Sequence, residues 1–263
     1  MLVLAGLVLT PPRALAQEGE RWTGATSGIL RFPNSNQSAD DGNAFGEALG
    51  WIGYVLHEDP DRMLAVYMHG FLSADSNAAP FNNVSKVGVG LRYRHRISKA
   101  LTLTFTARHD WDERRPTGQR RQGLRFALDG FYYRYMPVQA RRTWFGLPAS
   151  AAVLKAYATL ETPGSLAKGD DNVVLTFGGE LADKVPLPDT RWRLAVFADM
   201  TGAWDRDGNS YNNKLIPALG LKFEHPLPKG SFYAGARVRA DWRWVRGTLD
   251  VSPGLVIGWY SAF

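Results

Sequence analysis

Arginine recurs at alternate positions in two segments of this 263-residue sequence. The two series are Arg92, Arg94 and Arg96, and Arg237, Arg239 and Arg243. A guanidinium group is permanently charged, and its planar fork of donors suits carboxylates and phosphates. Because side chains two residues apart in a β-strand point to the same face, each series predicts a strip of positive charge that could bind anions.

Residues for hydrolytic chemistry are less well arranged. A hydrolase needs a nucleophile within reach of a base, yet the chain has no cysteine and none of its five histidines stands in a His-x-Ser arrangement. His69, near Ser73 and Asp75, could face the charged side of a strand, and we interpret it as a polar wall residue. We interpret the acidic pairs Asp40-Asp41 and Asp170-Asp171 as solvated loop charge. We therefore predict no enzyme, no catalytic residue, no cofactor and no metal site.

The elements that carry the arginines alternate polar and apolar residues with a period of two, which is typical of β-strands. In one of them, Leu101, Leu103 and Phe105 alternate with threonines. The pattern predicts about twelve strands, with ten or fourteen as alternatives, because the first three alternate poorly. They lie near 21–33, 45–57, 63–74, 85–98, 101–112, 122–135, 151–162, 172–183, 191–204, 212–225, 231–245 and 248–263.

A transmembrane barrel explains this alternation better than a soluble sandwich, which also alternates. One face of the strands is apolar, the other carries closely spaced charge, and several tryptophans are expected near strand ends, as in the aromatic girdles of barrels. These are Trp51, Trp111, Trp192, Trp204, Trp242, Trp244 and Trp259. We predict an all-β, antiparallel, up-and-down transmembrane barrel. Residues 136–150 break the pattern and could be a plug, an extra strand or a register error.

The first residues are typical of a secretory signal. The apolar run Leu2 to Leu9 is followed by Ala14-Leu15-Ala16, a small-x-small cleavage pattern, and the chain then becomes polar. We predict a signal peptide over residues 1–16 and a barrel over residues 17–263.

The chain ends on an alternating strand that finishes in Trp259 and Phe263. In this the sequence resembles bacterial outer-membrane β-barrels, whose terminal strand ends in Phe and is bound by the barrel-assembly machinery. The resemblance implies a location in the outer membrane of a Gram-negative cell, with membrane lipids and lipopolysaccharide as surroundings. No Lys/Arg run points to nucleic acid.

A second resemblance lies in the last third of the chain. Trp204-Asp205-Arg206-Asp207, Tyr211-Asn212-Asn213-Lys214 and Leu219-Gly220-Leu221 are similar to the barrels of exopolysaccharide-secretion proteins and their phage-adsorption relatives. Those barrels usually follow periplasmic helical repeats, which this sequence lacks. The resemblance implies polysaccharide export without catalytic residues.

The charges expected inside the barrel give the main functional prediction. The eleven inward cations are Arg92, Arg94, Arg96, Arg108, Arg125, Lys155, Arg193, Lys222, Arg237, Arg239 and Arg243. The seven inward anions are Asp110, Asp129, Glu161, Glu180, Asp199, Glu224 and Asp241. The positive excess predicts a porin-like pore or export conduit for anionic solutes or polymer. The alternatives are a lipid- or lipopolysaccharide-modifying hydrolase and a closed structural or adhesion barrel.

Overall fold

A computed structural model of the protein describes residues 21–32, 43–77, 82–143, 146–162, 172–208 and 212–263, with the backbone alone at 139–141. The strands are β1 Trp22–Phe32, β2 Phe45–Glu58, β3 Arg62–Asp75, β4 Val84–Arg96, β5 Leu101–Arg114, β6 Gln119–Arg142, β7 Pro148–Thr162, β8 Val174–Pro186, β9 Arg193–Asp205, β10 Lys214–Leu227, β11 Gly230–Arg243 and β12 Thr248–Ala262. No helix among the described residues could cross a membrane. The predicted signal peptide and both acidic pairs lie outside these ranges.

The strands form a closed barrel, because each pairs antiparallel with its neighbours in sequence and β1 pairs with β12. We call one end of the barrel the turn end, since short connections join the strands there. These are 59–61, 97–100, 143–147, 187–192 and 228–229. We call the other the loop end, with connections 33–44, 76–83, 115–118, 163–173, 206–213 and 244–247. The predicted twelve-stranded up-and-down barrel is confirmed.

Contacts between strands that are not neighbours show which side chains face the interior, the lumen. His69 of β3 contacts Asp110 of β5 at 2.8 Å. Arg237 of β11 donates to Asp199 of β9 at 3.1 Å. A strand lies between the partners in each case, so the side chains meet on the concave side of the sheet. Alternation and cross-strand register then assign every other position to the lumen or to the outer face.

The described part of residues 136–150 is neither a plug nor an extra strand. It consists of the adjoining ends of β6 and β7, which pair as far as Arg142 and Pro148 at the turn end. The register shifts between Pro137 and Arg141, so that β6 contains extra residues relative to β7. A bulge of this kind interrupts the period of two, which explains why the sequence pattern fails here.

The first three strands alternate poorly because part of their lumen face is apolar. Leu49 and Trp51 of β2 and Met63, Tyr67 and Phe71 of β3 all occupy inward positions. A pattern that contrasts apolar with polar residues cannot separate two faces that both carry apolar side chains.

The closing pair, β1 and β12, is covered on its outer face by two aromatic rings. Trp259 lies directly opposite Gly28, and Phe263 exchanges backbone hydrogen bonds with Gly24 at 3.0 and 3.3 Å. A Cβ atom on either glycine would overlap the ring, so each glycine forms a recess that the ring fills. A ring fills a glycine recess in the same way at three other places. Phe177 lies against Gly202 on the outer face, and Tyr157 against Gly178 and Tyr233 against Gly258 in the lumen.

Buried asparagines precede four strands at the loop end. They are Asn43, Asn83, Asn172 and Asn213. Two of the loops share one arrangement: the side-chain amides of Asn83 and Asn213 donate to Asp75 at 3.0 Å and to Asp205 at 3.2 Å. The backbone N–H of each aspartate donates back to the asparagine at 3.2 and 3.3 Å. These reciprocal bonds tie together the two ends of each loop.

Candidate functional site: the barrel lumen

The outer face of the barrel is largely apolar and exposed. Its members include Val87, Val89, Leu91, Phe105, Leu128, Leu221, Val238 and Leu255. Trp111, Trp204 and Trp242 lie outward near the loop end, and Trp192 lies just before β9 at the turn end. The prediction for Trp51 is wrong: it lies midway along β2 and faces the lumen. Val196 and Asp183 are outward in register but buried, so the apolar band is not uniformly exposed.

Towards the loop end, Asp110 is the centre of a buried ion cluster. Its carboxylate accepts hydrogen bonds from Nε of Arg108 at 2.9 Å, and Nε of Arg125 lies 3.3 Å away. Arg108 and Arg125 both pair with Glu161 of β7. Asp110 has no exposed surface. This cluster joins β3, β5, β6 and β7 through the lumen, and its charges neutralise one another.

A second cluster joins β7, β8 and β10. Glu180 pairs with Lys222 and, at 3.4 Å, with Lys155. Glu224 pairs with Lys184 and, at 3.3 Å, with Lys222. Lys184 is absent from the sequence prediction because the predicted strand ends one residue before it. Other inward charges that the sequence count left out include Arg31, Glu47, Lys86, Asp112 and Lys214.

The arginines of β11 face the lumen as predicted but have partners. Arg237 pairs with Asp199 at 3.1 Å, and Arg243 pairs with Asp241 of its own strand at 3.1 Å. Arg239 is buried, and its Nε donates to Ser252 at 3.5 Å. Most of the positive charge on this strand is therefore compensated locally.

The arginines of β4 also face the lumen, and their compensation decreases towards the turn end. The guanidinium of Arg92 lies 4.4 Å from the centre of the Trp51 ring, a cation–π contact. Arg94 pairs with Glu58 at 3.2 Å. Arg96 is exposed, as is the predicted lumen cation Arg193 at the start of β9. Neither of these two side chains forms an ion pair with any residue that the structure describes. Exposed positive charge without an ion pair thus lies at the turn end, whereas the lumen lysines near the loop end, Lys86 and Lys214, are only partly exposed.

Solvent reaches several large inward side chains. Leu49 is 45% exposed and Tyr157 is 43% exposed, although both occupy lumen positions near the middle of their strands. Nearer the turn end, the inward rings of Phe131, Tyr133, Tyr135 and Tyr260 are also exposed. A lumen filled by its own side chains would cover these residues. The interior therefore contains accessible space, and sequence reasoning missed the aromatic residues that line it.

The lumen histidine contacts a carboxylate, with no hydroxyl nucleophile bonded to it among the described residues. His69 and Asp110 resemble the base and orienting carboxylate of a hydrolase, but both are buried. No described Ser, Thr or Tyr hydroxyl forms a hydrogen bond with His69. Among the described residues no group of His, Asp and Glu could hold a metal ion.

A closed antiparallel sheet with an apolar outer face and a charged lumen satisfies its backbone hydrogen bonds within a bilayer. The chain is an outer-membrane β-barrel. Its Trp259 and Phe263 both lie on the outer face of the terminal strand, and their use as an assembly signal stays a prediction.

Comparison with known proteins finds no matching family model and no matching curated protein. Solved barrels resemble the chain in architecture. The β domain of the Bordetella autotransporter BrkA has a TM-score of 0.44 and 13% identity, with 93% of this chain and 99% of that chain covered. An outer-membrane channel from Pseudomonas putida F1 has a TM-score of 0.42 and 12% identity, with 96% of this chain and 99% of that chain covered. LpxR from Salmonella typhimurium has a TM-score of 0.42 and 9% identity, with 91% of this chain and 100% of that chain covered. Likeness at this level concerns the fold alone.

Proposed function

We propose that the protein is a pore or conduit through which anionic solutes, or an anionic polymer such as an acidic polysaccharide, cross the outer membrane. The observation that carries the proposal is the combination of accessible lumen space with uncompensated arginines at one mouth. Low-dielectric walls focus the field of such charges and raise the local concentration of anions. Short turns in barrels of this class face the periplasm, which would put Arg96 and Arg193 at the periplasmic mouth.

Conductance in planar bilayers tests this proposal. In a salt gradient, we expect the reversal potential of the wild type to show anion selectivity. The selectivity should weaken as salt shortens the Debye length below the ~10 Å found at 0.1 M. The variant with both Arg96→Gln and Arg193→Gln should lose much of it. Arg134→Gln is the matched control, because Arg134 lies near the same end of the barrel on the outer face of β6.

Each contrary result has a definite meaning. A cation-selective wild type, or equal loss of selectivity in the Arg134 control, contradicts the role given to the two lumen arginines. A folded protein without conductance contradicts the pore and favours the closed structural barrel. Lipid hydrolysis by such a protein would instead favour the enzyme.

A further inference from the structure

We infer that the turn end of the lumen holds a binding site for an acidic oligosaccharide, formed by aromatic rings of β6 and β7 together with the exposed arginines Arg96 and Arg193. The inference rests on the proposed function and names the class of its solute. We call the four rings concerned the aromatic track. Its members are Phe131, Tyr133, Tyr135 and Tyr157.

The register of the sheet makes the aromatic track continuous. Phe131, Tyr133 and Tyr135 occupy alternate inward positions of β6, which spaces them about 7 Å apart along the strand. Tyr157 of β7 lies directly opposite Phe131. The neighbouring strand β5 begins at Leu101, opposite Tyr132. The rings of Tyr133 and Tyr135 therefore extend beyond β5 towards the turn end.

The rings are widely exposed, although Tyr157 also packs over Gly178. Each ring of the track is between 41% and 48% exposed. Aromatic side chains contribute most to stability when they are buried, and contiguous exposed apolar surface typically marks a binding site. The outer face of the same strand offers an apolar environment, yet these rings point into the lumen.

Charged side chains of both signs flank the track, and Lys155 among them pairs with Glu180 at 3.4 Å. Arg96 of β4 is opposite Thr102, which is opposite Phe131, so Arg96 lies two strands from the track, about 10 Å away by strand spacing. Lys155 lies directly opposite Tyr133. Arg193 of β9 and Glu224, directly opposite it on β10, also lie at this end of the lumen. The rings are therefore accessible to a ligand that arginines can also reach.

This pairing of groups fits an acidic sugar chain. The face of an aromatic ring can stack on the apolar face of a sugar ring, and the tyrosine hydroxyls can exchange hydrogen bonds with sugar hydroxyls. The guanidinium forks suit carboxylates. A small inorganic anion has no apolar face for the rings, and a row of rings along a strand fits an extended chain better than a single unit.

Binding to the purified protein in detergent, measured by titration calorimetry, tests the inference. The probes are a linear tetramer of a uronic acid, a neutral glucan tetramer and the uronic acid monomer. We expect the acidic tetramer to bind at least ten-fold more tightly than either of the others. Tyr133→Ala and Tyr135→Ala should each weaken its binding about three- to ten-fold, the effect of one aromatic contact.

Tyr132→Ala is the matched control, since Tyr132 lies between two members of the track but on the outer face. Equal affinity for acidic and neutral tetramers, equal affinity for the monomer, or an equal loss in the Tyr132 variant would overturn the inference. Equilibrium binding does not depend on conductance. Conductance without binding would therefore refute this site alone, and binding without conductance would refute the pore alone.

Discussion

An inward charge has different consequences in the middle of this lumen and at its mouth. Asp110 and Arg125 are buried, Arg108 is largely covered, and Asp110 pairs with both, so they brace the barrel wall. Arg96 and Arg193 are exposed, and their charge is open to solutes. Residue type and spacing predict the same role for all these arginines. Their difference arises from partners on strands distant in sequence, and the sequence pattern carries no information about those partners.

Asp110→Asn tests the bracing role. The change removes one of the two carboxylates that Arg108 and Arg125 share, the other being Glu161. Removing one partner of a buried ion pair typically costs about 3–5 kcal/mol. We expect the variant to unfold at a clearly lower urea concentration than the wild type. Unfolding is measured by heat-modifiable migration. Glu113→Gln on the same strand removes an exposed pair with Arg120 and should cost under about 1 kcal/mol. Equal sensitivity of the two variants would contradict the assignment.

At the scale of the elements, the seam between β1 and β12 decides whether the sheet closes. Gly24 and Gly28 provide the recesses for Phe263 and Trp259, and a side chain at either glycine would displace the ring. The terminal aromatic residues therefore have a packing role in the folded barrel in addition to the assembly role that the sequence predicts.

Gly28→Val measures this packing. We expect a lower yield of heat-modifiable barrel, because the valine side chain and Trp259 cannot occupy the same space. Gly70→Val is the matched control on the outer face of β3, where an added Cβ meets no atom nearer than 4.0 Å. Normal assembly of both variants would show that the seam does not depend on the recess.

The sequence predicted strands well where one face is polar and the other apolar. β4, β5 and β11 follow this rule, so their positions and facing were confirmed. The rule failed at the bulge between Pro137 and Arg141 and on β1–β3, whose lumen face includes Leu49 and Trp51. The aromatic track was missed for the same reason. An apolar residue inside a barrel has the same sequence signature as one facing lipid.

In the whole molecule, the outer face of the barrel meets lipid and the lumen meets water. Leu91 and Leu49 form a matched pair, because they are 48% and 45% exposed but lie on the outer face and in the lumen respectively. An arginine at mid-depth on the lipid face costs about 2–4 kcal/mol.

Leu91→Arg should therefore lower the yield of folded barrel in lipid vesicles, whereas Leu49→Arg should fold nearly as well as the wild type. Folding is followed by heat-modifiable migration. If Leu49→Arg were the more damaging change, the two faces would be reversed.

The central claim is that the lumen contains water and favours anions, and thiol labelling measures both properties directly. The chain has no cysteine, so Leu49→Cys and Leu91→Cys each introduce one thiol into a silent background. In proteoliposomes, small anionic and cationic methanethiosulfonate reagents then find no other thiol in the protein to react with. We expect the thiol at position 49 to react, faster with the anionic reagent, and the thiol at position 91 to be protected by lipid. Labelling at position 91 but not at 49, or faster labelling of position 49 by the cationic reagent, would show that the lumen does not contain water or does not favour anions.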